Sequence, residues 1–294
     1  MTLSYSIITP VRNEAGNLVA LAEAIDAQTS PPREWLVVDT GSTDDTPLVV
    51  ARLAATRPWL TSLEVDPEEM RRGAPIVRAL NAGFAAMRER PPDVAVKVDA
   101  DVTFERDYFA RLLDAFEADD RLGIASGSAW EQRGGEWTQL FGTRTSVWGA
   151  ARAYRWACLK DVTPLEERMG WDGVDELKAN VLGWRTRTLT TLPFKHHRKE
   201  GERDRSRWAA WRAQGTVAWF MAYRPSYLVA RTLFRSLREP EALGIIDGWV
   251  RSAVRRAPRL EDVRARAYLR DRQRWRELPR RLGEARGRGS DPRR

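Results

Sequence analysis

The sequence contains a single cysteine, Cys158, so no disulfide can form within the chain. This cysteine usage fits a reducing compartment. No run of about 18 apolar residues occurs, so we expect no transmembrane helix. Residues 3–11 have the pattern of a strand and not of a signal peptide. We therefore expect a cytoplasmic protein.

Histidine and lysine are also scarce. The two histidines, His196 and His197, are adjacent, and arginine outnumbers lysine by 44 to 5. A structural zinc site of the Cys/His type is therefore excluded. Hydrophobic residues make up 43% of the chain and charged residues 31%, which is typical of a globular and not of a disordered protein.

The net charge of +8 is unevenly distributed. Residues 1–200 carry 25 basic and 30 acidic side chains, whereas residues 201–294 carry 24 and 11. A near-neutral body with a basic tail predicts a catalytic domain and a segment that faces an anionic membrane, polymer or nucleic acid. Nucleic acid is the least favoured of the three, because no nucleic-acid motif accompanies the charge.

Strand and helix patterns alternate through the first part of the chain and then give way to helices alone. The alternation predicts an α/β domain over residues 1–202, with a mostly parallel sheet and helices on both faces. We expect an amphipathic, Arg/Trp-rich helical region over residues 203–282 and a disordered tail over residues 283–294. Within the helical region, the pattern of residues 208–236 predicts two helices, divided at Arg224-Pro225. They lie on a membrane surface or pack on protein.

Two carboxylates, Asp99 and Asp101, directly follow the apolar strand predicted for residues 94–98. In open α/β sheets, ligands bind beyond the carboxyl ends of strands. Mg²⁺ and Mn²⁺ prefer carboxylate, water and phosphate oxygens as ligands. The pattern predicts a divalent metal on a nucleotide diphosphate, and the alternative is a pair of solvated loop acids.

A third carboxylate, Asp39, ends another predicted strand and precedes a loop rich in Gly, Ser and Thr at residues 40–46. Such a loop approaches a ligand closely and offers backbone N–H groups. We predict that Asp39 accepts a hydrogen bond from a base or a ribose. The alternative interpretation of this segment is a helix cap at Ser42 or Asp44.

The order of these segments resembles that of the inverting family 2 glycosyltransferases of the GT-A fold, a Rossmann-like α/β fold. The matching segments are residues 6–14 (Ser-Ile-Ile-Thr-Pro-Val-Arg-Asn-Glu), residues 37–46 (Val-Val-Asp-Thr-Gly-Ser-Thr-Asp-Asp-Thr), Arg72-Gly73 with residues 78–83, and residues 98–101. The resemblance implies metal-dependent, inverting transfer of a sugar from a nucleotide-sugar, with UDP the expected nucleotide, to a glycan or lipid-linked hydroxyl. Cell-surface polysaccharide synthesis is the expected context.

The resemblance also implies roles for individual positions. Nucleotide and diphosphate contacts fall to nine side chains: Thr9, Pro10, Arg12, Glu14, Asp39, Arg72, Arg78, Asn81 and Asp99. Asp101 would bind the metal, Mn²⁺ or Mg²⁺. Some GT-A enzymes carry a histidine that contacts the metal or a phosphate after the last core strand, and His196 and His197 resemble it. The alternative is a packed or surface pair of histidines.

Inverting transfer needs a carboxylate that takes the proton of the acceptor hydroxyl. In the resembled family this is usually the Asp of a Glu-Asp pair about eleven residues before a Gly-aromatic pair. Counting back from Gly183 gives Asp172, preceded by a tryptophan in place of the Glu. Asp175 is the second candidate and Glu176 a further rival. The alternative is that these acids cap the following helix.

Two other functions fit parts of the pattern. A sugar nucleotidyltransferase should carry a Gly-rich, basic phosphate loop after the first strand, and residues 10–14 do not form one. A non-catalytic scaffold that retained the GT-A fold does not need the set formed by Asp39, Asp99, Asp101 and Asp172. The amphipathic region adds the expectation of a peripheral position on the inner face of the cell membrane.

Overall fold

The structure is a computed structural model that describes residues 3–66, 74–140, 146–198 and 206–277. These residues belong to two compact units, one within Met1–Lys199 and the other within Glu200–Arg294. Arg72, predicted to contact the nucleotide, and the tail predicted for residues 283–294 lie outside the described residues.

The first unit is built on one mixed sheet. Its strands are β1 (Tyr5–Val11), β2 (Glu34–Asp39), β3 (Leu60–Glu64), β4 (Val94–Val98), β5 (Val102–Phe104), β6 (Leu122–Arg133), β7 (Glu136–Gln139), β8 (Ala151–Arg155) and β9 (Arg185–His196). The strand order is β3-β2-β1-β4-β8-β6-β9-β5, and β7 pairs with β6. Because β3, β2, β1 and β4 are mutually parallel, their carboxyl ends lie at one edge.

Helices cover both faces of this sheet, which confirms the predicted α/β class. The helices are α1 (Ala15–Asp26), α2 (Thr46–Ala54), α3 (Ala74–Ala86), α4 (Tyr108–Glu117), α5 (Trp156–Val162) and α6 (Trp171–Val181), with a 3₁₀ turn at Met87–Glu89. One core contains Ile7 with α1, α2 and α4, and the other contains Ile8 with α3, α5 and α6. Successive β1 residues thus enter opposite cores, because strand side chains alternate between faces.

Helix α6 starts at Trp171, so the three acids named as candidates for the base lie inside the helix and do not precede it. Gly170 adopts a left-handed conformation with φ of +84°, which turns the chain into the helix. Asp172, Asp175 and Glu176 consequently lie on a helix with fixed spacing.

The second unit consists of helices. They are α7 (Arg207–Phe220), α8 (Pro225–Ser236), α9 (Gly244–Val254) and α10 (Val263–Arg272), with 3₁₀ turns at Pro240–Leu243 and Trp275–Glu277. The division between α7 and α8 confirms the predicted helix pair. Helices α7 and α9 approach so closely that a Cβ added at Gly215 or Gly248 would lie 2.0 Å from a carbonyl oxygen of the other helix. Throughout the described residues, every helix is too short or too polar to cross a bilayer.

Candidate active site

Three parallel strands, β2, β1 and β4, place their carboxyl ends side by side. Strand β1 leads into residues 12–14, β2 leads into residues 40–45, and β4 leads into the segment with Asp99 and Asp101. From β1 the chain continues to β2 and β3 on one side, while β4 pairs on the other side. This is a topological switch point, the place where open α/β sheets bind ligands. The fold therefore brings the predicted carboxylates Asp39, Asp99 and Asp101 to one edge of the sheet.

Asn13 joins the loop after β1 to the loop after β2. Its Oδ1 accepts hydrogen bonds from the backbone N–H groups of Thr43 at 2.7 Å and Asp44 at 3.3 Å, and its own N–H donates to the hydroxyl of Ser42. Asp39 Oδ1 in turn accepts from the N–H and hydroxyl of Ser42 at 2.9 and 2.8 Å. The Asp39 carboxylate is thus held in a defined turn at the strand end.

Arg198, which follows β9, connects Glu14 to Asp101. Its two terminal nitrogens donate to the two carboxylate oxygens of Glu14 at 3.0 and 2.8 Å. Its Nε lies 3.5 Å from Asp101 Oδ2. Both carboxylates are largely buried. The segments after β1, β4 and β9 therefore meet around one guanidinium, a group whose planar fork suits carboxylates and phosphates.

His196, at the end of β9, lies between two carboxylates. Its Nε2 is 3.5 Å from Asp101 Oδ1, and its Nδ1 is 3.3 Å from Oε1 of Glu131, which the sequence analysis did not single out. Burial alone would lower the pKa of His196, but a hydrogen bond with Asp101, the charge of Asp101 and a hydrogen bond with Glu131 raise it. Burial would raise the pKa of Asp101, but His196 and then Arg198 lower it. Asp101 is therefore an anion beside an imidazole.

The second histidine has different partners. The Nε2 atom of His197 lies 2.8 Å from the hydroxyl of Thr103, and its ring meets Trp137 edge-on. Only the first of the two predicted imidazoles is therefore placed against Asp101. Within the described ranges, His, Cys, Asp and Glu side chains form no group of three or more that could hold a metal ion by itself.

The donor chemistry nevertheless fits a cation that is shared with a substrate. Asp101 and His196 provide one carboxylate and one imidazole within 3.5 Å of each other. Divalent cations that sit on substrate phosphates typically use one or two protein ligands, with phosphate oxygens and water completing the shell. Mn²⁺ accepts imidazole more readily than Mg²⁺ does.

A buried lysine that the sequence analysis did not single out holds Asp99. Lys97 on β4 is 3% exposed. Its Nζ lies 2.7 Å from Asp99 Oδ1 and donates to the carbonyl oxygen of Gly149 at 2.6 Å. A lysine inside an apolar strand was the available signal, because a buried cation requires a partner. The two acids after β4 therefore differ: Asp99 faces a cation of the protein, and Asp101 faces an imidazole.

Asp172, the first candidate for the base, lies in the first turn of α6 near this group. Its Oδ1 accepts from the N–H of Gly173 at 3.0 Å. Its Oδ2 lies 3.6 Å from the position that a Cβ on Gly149 would occupy. Since the carbonyl of Gly149 also accepts from Lys97, one short segment touches both the base candidate and the partner of Asp99.

Asp175, the second candidate, is placed in a buried network instead. Arg152 donates to its Oδ1 at 2.6 Å and its Oδ2 at 3.1 Å, and Tyr154 donates its hydroxyl to Oδ2. Glu176 accepts from the same guanidinium at 3.2 Å. Burial raises the pKa of Asp175 to about 6 and that of Glu176 to about 8, and Arg152 opposes both shifts. Because Asp175 is only 2% exposed, an acceptor hydroxyl cannot reach it, which corrects its predicted role as a base.

Thr9 was predicted to line the nucleotide, but its side chain is fully buried in the core of the sheet. Its hydroxyl accepts a hydrogen bond from the indole N–H of Trp35 at 2.9 Å. This corrects the predicted side-chain contact, because no hydroxyl is exposed to a ligand. Pro10 and Arg12 lie at and just beyond the end of β1, where both are partly exposed.

Two further side chains with predicted diphosphate contacts bind the loop that precedes α6. Asn81 accepts from the N–H of Leu165 at 2.9 Å and donates to its carbonyl at 3.1 Å. Arg78 lies 3.3 Å from a carboxylate oxygen of Glu167. Both side chains extend from α3, so the structure gives them a part in anchoring this loop to the domain.

The fold, with its acids gathered at the switch point, is that of a GT-A-type α/β protein. The family model of glycosyl transferase family 2 matches residues 6–158, just over half of the chain. The chain belongs to this family. The resemblance noted from the sequence motifs is thereby confirmed.

Solved structures show the same fold. Residues 1–349 of S. aureus TarS in complex with UDP-GlcNAc are 19% identical, with a TM-score of 0.59 and coverage of 96% of this chain and 92% of that one. The mannosyltransferase PcManGT from Pyrobaculum calidifontis, in complex with GDP-Man and Mn²⁺, is 20% identical, with a TM-score of 0.57 and coverage of 97% and 85%. At these identities the likeness establishes the GT-A fold.

Proposed function

We propose that the protein is an inverting glycosyltransferase that moves a hexosyl group from a UDP-sugar to a hydroxyl of a glycan or lipid-linked acceptor, in cell-surface polysaccharide synthesis. The observation that carries the proposal is the meeting of four chain segments at the switch point. Asp39 suits a nucleobase, and Asp101 and His196 suit a cation. Asp172 suits an acceptor hydroxyl.

The donor half of the site is formed by the segments after β1, β2, β4 and β9. Asp39 accepts a hydrogen bond from the uracil, and Asp99 accepts from the ribose hydroxyls. Asp101 and His196 are the residues that would hold Mn²⁺ or Mg²⁺. When bound, such a cation supplies positive charge that stabilises the departing diphosphate. Arg198 adds a fixed positive charge at the same place.

The acceptor half of the site is the first turn of α6. The Asp172 carboxylate takes the proton of the acceptor hydroxyl as its oxygen forms a bond to the anomeric carbon of the sugar. The bond from that carbon to the diphosphate oxygen breaks at the same time, and UDP carries away the electron pair. General-base catalysis of this kind contributes roughly 10²–10⁴-fold to a rate.

Ligand-induced stabilisation tests the donor half. UDP, UDP-GlcNAc, UDP-glucose and GDP-mannose are added to the protein with and without Mn²⁺, and the melting temperature is followed. A ligand at 100 times its Kd stabilises by roughly 2.7 kcal/mol. We expect stabilisation by the uridine nucleotides with Mn²⁺, its loss in Asp101→Asn, and its retention in Asp107→Asn, an exposed acid on the same domain. Unchanged stabilisation of Asp101→Asn would remove Asp101 from the metal site.

A kinetic comparison tests the acceptor half. Asp172→Asn should keep the UDP affinity of the wild type and lose at least about a hundredfold in the rate of UDP release from the donor that binds best. A rate within twofold of the wild type would show that another group is the base.

We also propose that α8 contacts an anionic membrane surface. Residues 206–277 carry 16 arginines against seven acids. On α8 and just after it, Leu233, Phe234 and Leu237 are exposed and lie beside Arg235 and Arg238. Most aromatic residues of α7 are instead partly or fully buried within the helical unit. Within residues 208–236, the segment predicted to touch a membrane, these observations support a membrane contact at the end that lies on α8.

Vesicle sedimentation tests this contact. We expect binding to phosphatidylcholine vesicles only when they contain phosphatidylglycerol, and weaker binding at high salt. Leu237→Glu should lower the bound fraction severalfold, whereas Val254→Glu, an equally exposed site on α9, should not. Equal binding of both variants and the wild type would contradict the assignment of this surface.

A further inference from the structure

Arg152 on β8 has no exposed surface, yet its guanidinium is not required by the proposed chemistry. All of its nitrogens have acceptors. Besides the two acids of the buried network and Tyr154, they donate to the carbonyl oxygen of Val147 at 2.7 Å and to the carbonyl oxygen of Asp172 at 2.8 Å. The contact with Asp172 is therefore made to the backbone of the proposed base, which leaves its carboxylate unused by the network.

The contacts of this guanidinium on α6 lie on one side of the helix. Asp172, Asp175 and Glu176 are spaced at i, i+3 and i+4, so they face the same direction. One rigid, planar group thereby fixes the first turn and a half of α6 against β8. A lysine could not do this, because its single ammonium cannot span a carbonyl and two carboxylates in a fixed plane.

The same strand also touches the donor half of the site. Arg152 is the register partner of Lys97 on β4, and Lys97 holds Asp99 at 2.7 Å. A continuous path of hydrogen bonds and strand pairing therefore runs from Asp99 through Lys97 and Arg152 to the backbone of Asp172. Its two central members, Lys97 and Arg152, are buried, so the path holds Asp99 and the backbone of Asp172 at a fixed separation.

We propose that Arg152 is a positioning residue that sets the place of the Asp172 carboxylate relative to the donor. The proposal rests on the proposed function, in which Asp172 is the base. A displacement of about 1 Å at a reacting group can cost about a hundredfold in rate. Loss of the Arg152 contacts with α6 should therefore slow the chemical step and leave donor binding unchanged.

The test is a double-mutant cycle on UDP release from the best-binding UDP-sugar, with water as acceptor. Arg152→Lys keeps the buried charge and lowers the chance of misfolding. It should reduce kcat about 10- to 100-fold while the donor KM and the UDP affinity stay within about threefold. Tyr154→Phe removes a hydroxyl from the same network without touching Asp172, and it should leave kcat within about twofold.

The decisive comparison is made in the Asp172→Asn background. If Arg152 acts by placing this carboxylate, adding Arg152→Lys to Asp172→Asn should lower kcat no further. An equal fold loss in both backgrounds would overturn the positioning role and leave a merely structural one. Wild-type activity of Asp172→Asn, or no UDP release by the wild type, would instead overturn the proposed function itself. These outcomes are distinguishable from one another.

Discussion

The buried hydrogen bond between Thr9 and Trp35 allows a direct test of where Thr9 acts. Thr9→Val replaces the hydroxyl by a methyl group of nearly the same shape and leaves the indole N–H of Trp35 without an acceptor. Both side chains are fully buried, so water cannot replace the lost partner. An unsatisfied buried donor costs about 1–3 kcal/mol. For a unit of this size, roughly 2–4 °C of melting temperature corresponds to each kcal/mol.

Urea unfolding followed by far-ultraviolet circular dichroism measures this change, and calorimetric titration with UDP and Mn²⁺ measures the ligand affinity. We expect Thr9→Val to be destabilised by about 1–3 kcal/mol and to bind UDP within twofold of the wild type. Thr61→Val is the matched control. Its hydroxyl donates to Glu34 on the exposed face of a neighbouring strand, so its stability should change by less than about 0.5 kcal/mol.

The opposite pattern would refute the reasoning. If Thr9→Val kept its stability but bound UDP tenfold more weakly, the hydroxyl would act on the nucleotide, as the family resemblance implies. Trp35→Phe completes a double-mutant cycle. A coupling energy of about 0.5–1.5 kcal/mol between the two positions is expected for a neutral hydrogen bond, and zero coupling would show that the bond contributes nothing.

Three further outcomes follow from the geometry. Lys97→Met should bind Mn²⁺ severalfold more tightly in a titration without nucleotide, because the cation 2.7 Å from Asp99 is removed, and weaker binding would contradict this. Gly248→Ala should lower unfolding stability by about 1–3 kcal/mol, since its Cβ would meet a carbonyl oxygen of α7 at 2.0 Å, whereas Gly16→Ala on α1 has open space around it and should not. Hydrogen bonds from Ser4 lower the pKa of Asp93 below its unfolded value of 3.8, so its stabilisation is present at neutral pH and disappears as the pH falls below that value. Urea unfolding at pH 6 and pH 3.5 should therefore show a smaller acid loss for Asp93→Asn than for the wild type.

Much of the fold could be predicted from local pattern. Strands β1, β2 and β4 are apolar runs because both faces of a parallel strand are buried, and each is recognisable without its partners. The break at Arg224-Pro225 likewise identified α7 and α8. Short strands such as β5 and β7 carry no such pattern, because only pairing with β9 and β6 makes them strands.

Individual contacts in the site were less predictable. Motif order suggested that Thr9, Arg78 and Asn81 face a nucleotide, but a motif does not record which way a side chain turns. Trp35 and the loop at Leu165, distant in sequence, are the partners that decide it. The buried Lys97 was visible as a lysine in an apolar strand, whereas Arg152 resembled any other arginine of an arginine-rich chain.

The sequence by itself determined the kinds of group at the site and the strand ends that carry them, because strand periodicity and motif spacing are local properties. It therefore indicated Asp39 and Asp101 at strand ends, and motif spacing indicated Asp172, as residues of the proposed site. Tertiary structure alone decided which charged group each acid faces. Asp99 faces Lys97, Asp101 faces His196, and Asp175 faces Arg152. A carboxylate acts through the charges around it, and those neighbours come from strands and helices far apart in the chain.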